Sequence, residues 1–135
     1  MKQITCLLLL TATLLVKTSC AQNNNKNMEK KKDYSVEIIR YNIATDQQKN
    51  FEQAYTNAGK YLKASPYCLG YKIIHGKEEP NRYIVIIHWT SMDEHLNGFR
   101  KSADFMPFLN LVRPFYNNID EMKHYETTPI EWEKE

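Results

Sequence analysis

Hydrophobic positions along this chain alternate with polar ones in some stretches and recur every three or four residues in others, but the run RYIVIIHW at Arg82–Trp89 does neither. As an extended strand it would turn Tyr83, Val85, Ile87 and Trp89 to one side and Ile84, Ile86 and His88 to the other, leaving no polar face. Its enrichment in Ile, Val and Tyr, with Asn81 before it and Thr90-Ser91 after it, predicts a strand covered on both faces rather than a short buried helix.

The other elements follow from the same two periods. YSVEIIRYNI at 34–43 predicts a strand with Val36, Ile38 and Arg40 on one face and Glu37, Ile39, Tyr41 and Ile43 on the other. Thr45 or Asp46 is expected to cap a helix running to Ala64, with Phe51, Ala54, Tyr55, Ala58, Tyr61 and Leu62 forming one apolar stripe. Ser65-Pro66 should end it, because proline disfavours helical geometry in the residue before it. CLGYKIIHG at 68–76 reads as a second strand, and EEPN at 78–81 as the turn into the third. After Trp89, Ser91 and Glu94 form a capping box for a helix to about Lys101. A further helix from Ser102 or Asp104 carries Phe105, Phe108, Leu109 and Val112 toward the core until Pro114 interrupts it. Residues 119–127 supply a fourth strand, and 129–135 an extended arm.

The order β-α-β-β-α-β predicts an α+β fold, a ferredoxin-like split βαβ with an antiparallel sheet and its helices on one face. Too few helical segments remain to cover the other face, where the third strand is also apolar. A second copy of the sheet is the expected cover, giving a homodimer.

The N-terminus adds a destination. Lys2, the apolar run from Ile4 to Val16 and the small residues from Thr18 to Ala21 have the layout of a secretory signal over residues 1–21, too short for a bilayer span of about twenty residues. Two processing routes fit: cleavage before Gln22, or lipidation of Cys20 as in a bacterial lipoprotein, from whose usual pattern Lys17 departs. The expected location is outside the cytoplasm, periplasmic or membrane-anchored, with contact to the membrane only through such a lipid. QNNNKNMEKKKD at 22–33 lacks the apolar content to offset its ordering entropy and reads as a flexible tether. Residues 34–128 are then one small domain. Of 18 basic residues Lys2 and Lys17 leave with the signal, so the rest balance the 16 acidic ones, and no nucleic-acid surface is expected. With Cys6 in the signal and Cys20 lipidated or lost, Cys68 stands alone, which excludes an intrachain disulfide framework and suggests a buried, inert thiol.

The ordered set ASPYCLGY, RYIVIIHW, HLNGFRKSADF and VRPFYNNIDEMKHYE resembles the antibiotic biosynthesis monooxygenase domain, over nearly all of the region from Tyr34 to about Thr128. The resemblance implies a dimeric α/β barrel with a pocket between sheet and helices in each protomer. It also implies oxidation of phenolic or polyketide-like compounds by oxygen without metal or flavin, so no cofactor is expected. Heme-degrading relatives carry a Trp and, about ten residues later, an iron-ligating His in the segment equivalent to Gly98–Leu109. This chain has Phe99 and Leu109 there, without the axial ligand. Many ordinary members place a His where Phe99 stands.

Such chemistry needs an apolar cavity and a base that makes an electron-rich anion. Histidine suits the task at neutral pH, which makes His88 and His95 the candidate bases. Trp89, Phe99, Arg100, Arg113 and Tyr116 are candidates for an aromatic wall and a cationic clamp on a small aromatic, apolar or anionic ligand. In the blander reading Phe99 is core and the arginines pair with Asp104, Asp120 or Glu121. Tyr41, Tyr71 and Tyr83 are expected to pack the sheet. His75, His88, His95 and His124 lack the close spacing of zinc ligands, so no metal is expected, although His124 and Glu126 share a strand face. A non-catalytic module holding a small ligand at the cell surface is the competing function.

Overall fold

The computed structural model describes residues 34–132 and 134. The signal segment, Cys20 and the tether at 22–33 lie outside the described residues. Four strands, β1 (Ser35–Asn42), β2 (Cys68–His75), β3 (Arg82–Trp89) and β4 (Ile119–Glu126), form one sheet in the order β2-β3-β1-β4. Every neighbouring pair is antiparallel. Helices α1 (Gln48–Ala64) and α2 (Phe105–Val112) complete the expected β-α-β-β-α-β order.

The strands alternate as their period of two requires. β1 buries Ser35, Glu37, Ile39 and Tyr41, and β3 buries Tyr83, Val85, Ile87 and Trp89. These are the helix-side residues of the two central strands, paired Tyr41 with Tyr83, Ile39 with Val85, Glu37 with Ile87 and Ser35 with Trp89. Phe51 of α1 sits among them, its ring 4.9 Å from those of Tyr41 and Tyr83, 5.0 Å from Tyr55 and 5.3 Å from Phe115. The apolar stripe on α1 buries Phe51, Tyr55, Ala58 and Leu62, each contributing on the order of 1.5–3 kcal/mol where the side chain is large. The opposite sheet face carries Val36, Ile38, Ile84, Ile86 and His88, all only half-buried in the single chain.

Two boundaries differ from expectation. Neither Thr45 nor Asp46 caps α1: a 3-10 turn at Thr45–Gln47 precedes it, with Ala44 at the capping position and no side-chain bond. The Ser91 half of the capping box forms, the Glu94 N–H donating to Ser91 Oγ at 3.1 Å, but no α-helix follows. Instead the chain makes a π turn at Glu94–Gly98 and a 3-10 turn at Phe99–Lys101. Pro114 interrupts the second helix as expected: α2 ends at Val112, and a 3-10 segment follows at Arg113–Asn118, with the proline near its start, where its missing N–H is needed by no acceptor. Leu109 is half-buried, while Phe108 and Val112 reach the core.

Candidate functional site

Glu37 is the one charged residue on the buried face of β1. The strand registers place it opposite Ile87 of β3 and His124 of β4. Facing residues on antiparallel strands hold their Cβ atoms about 4.5–5.5 Å apart, so carboxyl and imidazole meet on the helix side of the sheet. Trp89, one pleat along β3, donates its indole N–H to Glu37 Oε2 at 3.0 Å.

His95 completes the group from above. In the π turn the Phe99 N–H reaches both the Glu94 and His95 carbonyls, and the widened turn points His95 and Phe99 inward together. π turns are rare and concentrate at functional sites. Gly98 permits it, because a Cβ there would lie 2.6 Å from the Tyr67 ring. The His95 imidazole lies flat on Trp89, with centroids 4.2 Å apart and planes 8° apart. Its Nδ1 is 2.7 Å from Nε2 of His124, and its Nε2 is 3.7 Å from Glu37 Oε2. Glu37 and His95 are each 4% exposed.

Burial sets the protonation of this cluster. It raises the Glu37 carboxyl above its ordinary range, against the opposing pull of the Trp89 N–H and the Arg100 charge. It lowers His95 to about 3, helped by His124 and Arg100, and lowers His124 as well. His95 is therefore neutral at ordinary pH, and the 3.7 Å contact between Glu37 and His95 is not an ion pair. Tyr41 and Tyr55 share a buried hydroxyl hydrogen bond of 2.7 Å, and desolvation pushes both phenols up.

These groups wall a small cavity of about 20 Å³ between sheet and helices, with Trp89, Phe99, Phe108, Arg100 and Tyr116 around it. That is room for about one water. Glu37 is the only carboxylate lining it among the described residues. A second space, an open cleft of about 380 Å³, adjoins it at the sheet end and is lined by Tyr34, Ser35, Ser91, Met92, His124 and Tyr125, among others. His124 faces this cleft while bonding to His95 of the smaller cavity. A ligand of drug size needs roughly 300 Å³ or more, so an aromatic substrate requires Phe105, half-buried against Phe99, or Tyr116 to swing aside. Heme does not fit: the cavity is far too small, and Leu109 and Phe99 stand where its relatives use His and Trp.

The structure gathers Trp89, His95, Phe99, Arg100 and Tyr116 around one cavity. Arg100 is exposed at its edge, 5.7 Å from the Phe105 ring. His88 does not join them. It lies on the other sheet face, 5.2 Å from the Tyr34 ring, and cannot share a cavity with His95. Arg113 is exposed and outside the cavity lining. Cys68 is half-buried, and burial raises its thiol. Sequence reasoning missed Glu37 and the joining of His124 to His95. A carboxylate sharing its strand face with Ile39, Tyr41 and Ile43 was the available signal. The expectation of no metal rested on histidine spacing along the chain; in the fold, one donor atom each of Glu37, His95 and His124 lies within 4.8 Å of the others.

A family model described as antibiotic biosynthesis monooxygenase matches residues 35–110. A Bordetella bronchiseptica protein provisionally assigned as an antibiotic biosynthesis monooxygenase superposes with a TM-score of 0.59 at 23% identity, over 73% of this chain and 98% of that one. SnoaB, a cofactor-independent oxygenase from Streptomyces nogalater, gives 0.58 at 16% identity, over 76% and 99%. The uncharacterized protein YczJ of Bacillus subtilis is 22% identical over 79 residues, 58% of this chain and 83% of YczJ. At these identities the structural likeness speaks for the fold, α+β with a four-stranded antiparallel sheet.

Proposed function

The chain belongs to the antibiotic biosynthesis monooxygenase family, and from that premise we propose that it is a monooxygenase acting without a cofactor on a small phenol or quinol. The observation that carries the reading is Glu37, a carboxylate buried in the wall of an aromatic cavity and aimed by the Trp89 N–H. Glu37 is the base in place of the histidines expected from sequence. It takes a proton from the substrate, and the resulting anion, electron-rich and shielded from water, reduces oxygen. One oxygen atom stays on the substrate as a carbonyl; the other leaves as water with the two hydrogens the substrate loses, one from the oxidised ring carbon and one from its hydroxyl. Phe99, Trp89 and Tyr116 stack on the ring, and Arg100 offsets the anion's charge at the cavity edge.

The sheet faces of two copies pack together in this proposal, covering Ile38, Ile84 and Ile86. The run at 4–16 directs export, with Cys20 as the lipid-bearing residue; mass spectrometry of the mature N-terminus checks this, and a peptide beginning at Gln22 contradicts it. The smallness of this cavity favours one alternative, a non-catalytic module for a small ligand. Oxygen uptake with a panel of quinols and polyphenols separates the two. Turnover supports the oxygenase, and saturable binding of the same compounds without oxygen uptake supports the module.

A further inference from the structure

We infer that Glu37, His95 and His124 form a binding site for one divalent transition-metal ion, of the zinc, cobalt or nickel class. The inference stands on geometry alone and does not rest on the oxygenase reading. The three side chains come from three elements, β1, the π turn and β4, and one donor atom from each lies within 4.8 Å of the others. Metal–nitrogen and metal–oxygen bonds of about 2.0–2.2 Å set neighbouring donors roughly 3–3.5 Å apart around one ion. The two His95 nitrogens face different partners, Nδ1 lying 2.7 Å from His124 Nε2 and Nε2 3.7 Å from Glu37 Oε2, so an ion held by one of them needs side-chain rotation to draw the three donors in from their 4.8 Å spread.

The surroundings are those of a ligand set. A metal site works when its ligands are held by groups behind them. Trp89 does this twice, bonding the Glu37 carboxyl through its indole N–H and fixing the plane of His95 by stacking. Glu37 and His95 are almost fully removed from solvent, while His124 opens onto the 380 Å³ cleft, which gives an ion an entry path and leaves room for a water or small anion as a further ligand. Two imidazoles and one carboxylate suit borderline transition metals; magnesium and calcium prefer all-oxygen shells. A bound ion would compete with protons for the same atoms, so the occupied and proton-transferring forms of the site exclude each other.

The test needs no substrate. The purified full chain, stripped with a chelator, is titrated with cobalt, read by its visible absorption bands, and with zinc by calorimetry. One ion per chain is expected. His124→Ala and Glu37→Gln should each weaken binding by about tenfold or more, while His75→Ala and His88→Ala, which alter the two remaining histidines, should not. His124 is half-buried and Gln matches Glu in shape, so these variants are expected to fold, as circular dichroism will verify, even where His95→Ala does not. Folded protein that takes up no cobalt or zinc, or binds them equally well in His124→Ala and Glu37→Gln, overturns the site. Neither result bears on oxygen uptake by the metal-free protein.

Discussion

At the scale of single residues, the energetics turn on polar groups buried inside an aromatic core. The Tyr41–Tyr55 hydroxyl pair is the simplest. Tyr55→Phe removes one partner and strands the other, a loss of about 1–3 kcal/mol, whereas Tyr41→Phe with Tyr55→Phe removes both and should cost less than the two single changes together. Urea unfolding of the four proteins in the cycle checks this; simple additivity would contradict it. Glu37 obeys the same logic, since its burial is tolerated only because Trp89 donates to it. Its importance was hard to see in the sequence. A lone carboxylate in a run of apolar residues says little until its partners are known, and those lie on β3, β4 and a turn far along the chain. Phe99, Trp89 and Tyr116 were legible because large aromatics near a strand end and helix almost always pack. His88 misled because alternation fixes which face a residue takes relative to its neighbours and not which face meets the helices.

At the scale of elements, strands and α1 were legible because each depends on local periodicity. The segment from Glu94 to Lys101 was not. Its capping box promised an α-helix, but the chain makes a π turn there, with His95 and Phe99 both buried beside Trp89. Gly98 is the position that allows it. Gly98→Ala would drive a Cβ to 2.6 Å from the Tyr67 ring, so either the turn or Tyr67 must move. A loss of about 1–3 kcal/mol is expected, with weakened stacking of His95 on Trp89, although alanine is the better helix former. Thermal unfolding and tryptophan fluorescence report both; unchanged stability would show that the turn tolerates a side chain.

At the scale of the whole molecule, the two-faced third strand remains the strongest sequence signal. One face lies under the helices; the other exposes half-buried isoleucines beside His88, Lys72 and Lys123. Burial and the Lys72 charge hold His88 below its ordinary value. Its neutral form is therefore favoured in the folded chain, and this contribution is complete above the unfolded value of 6.5 and lost as pH falls through and below it. Packing a second sheet over His88, with Tyr34, Val36 and Tyr125 around it and Lys72 and Lys123 as the nearby cations, should deepen the effect. Sedimentation is expected to show dimer at about pH 7.5 and more monomer at about pH 5, with His88→Leu holding the dimer at the lower pH. A monomer at both values would remove the proposed second cover. The central claim is that Glu37 drives oxygen chemistry in the cavity behind that sheet. Oxygen uptake by metal-free protein with a quinol panel, compared between the native chain and Glu37→Gln, tests it most directly: uptake in the native chain that falls by about a hundredfold or more in the variant is the predicted result, and equal rates in the two would contradict it.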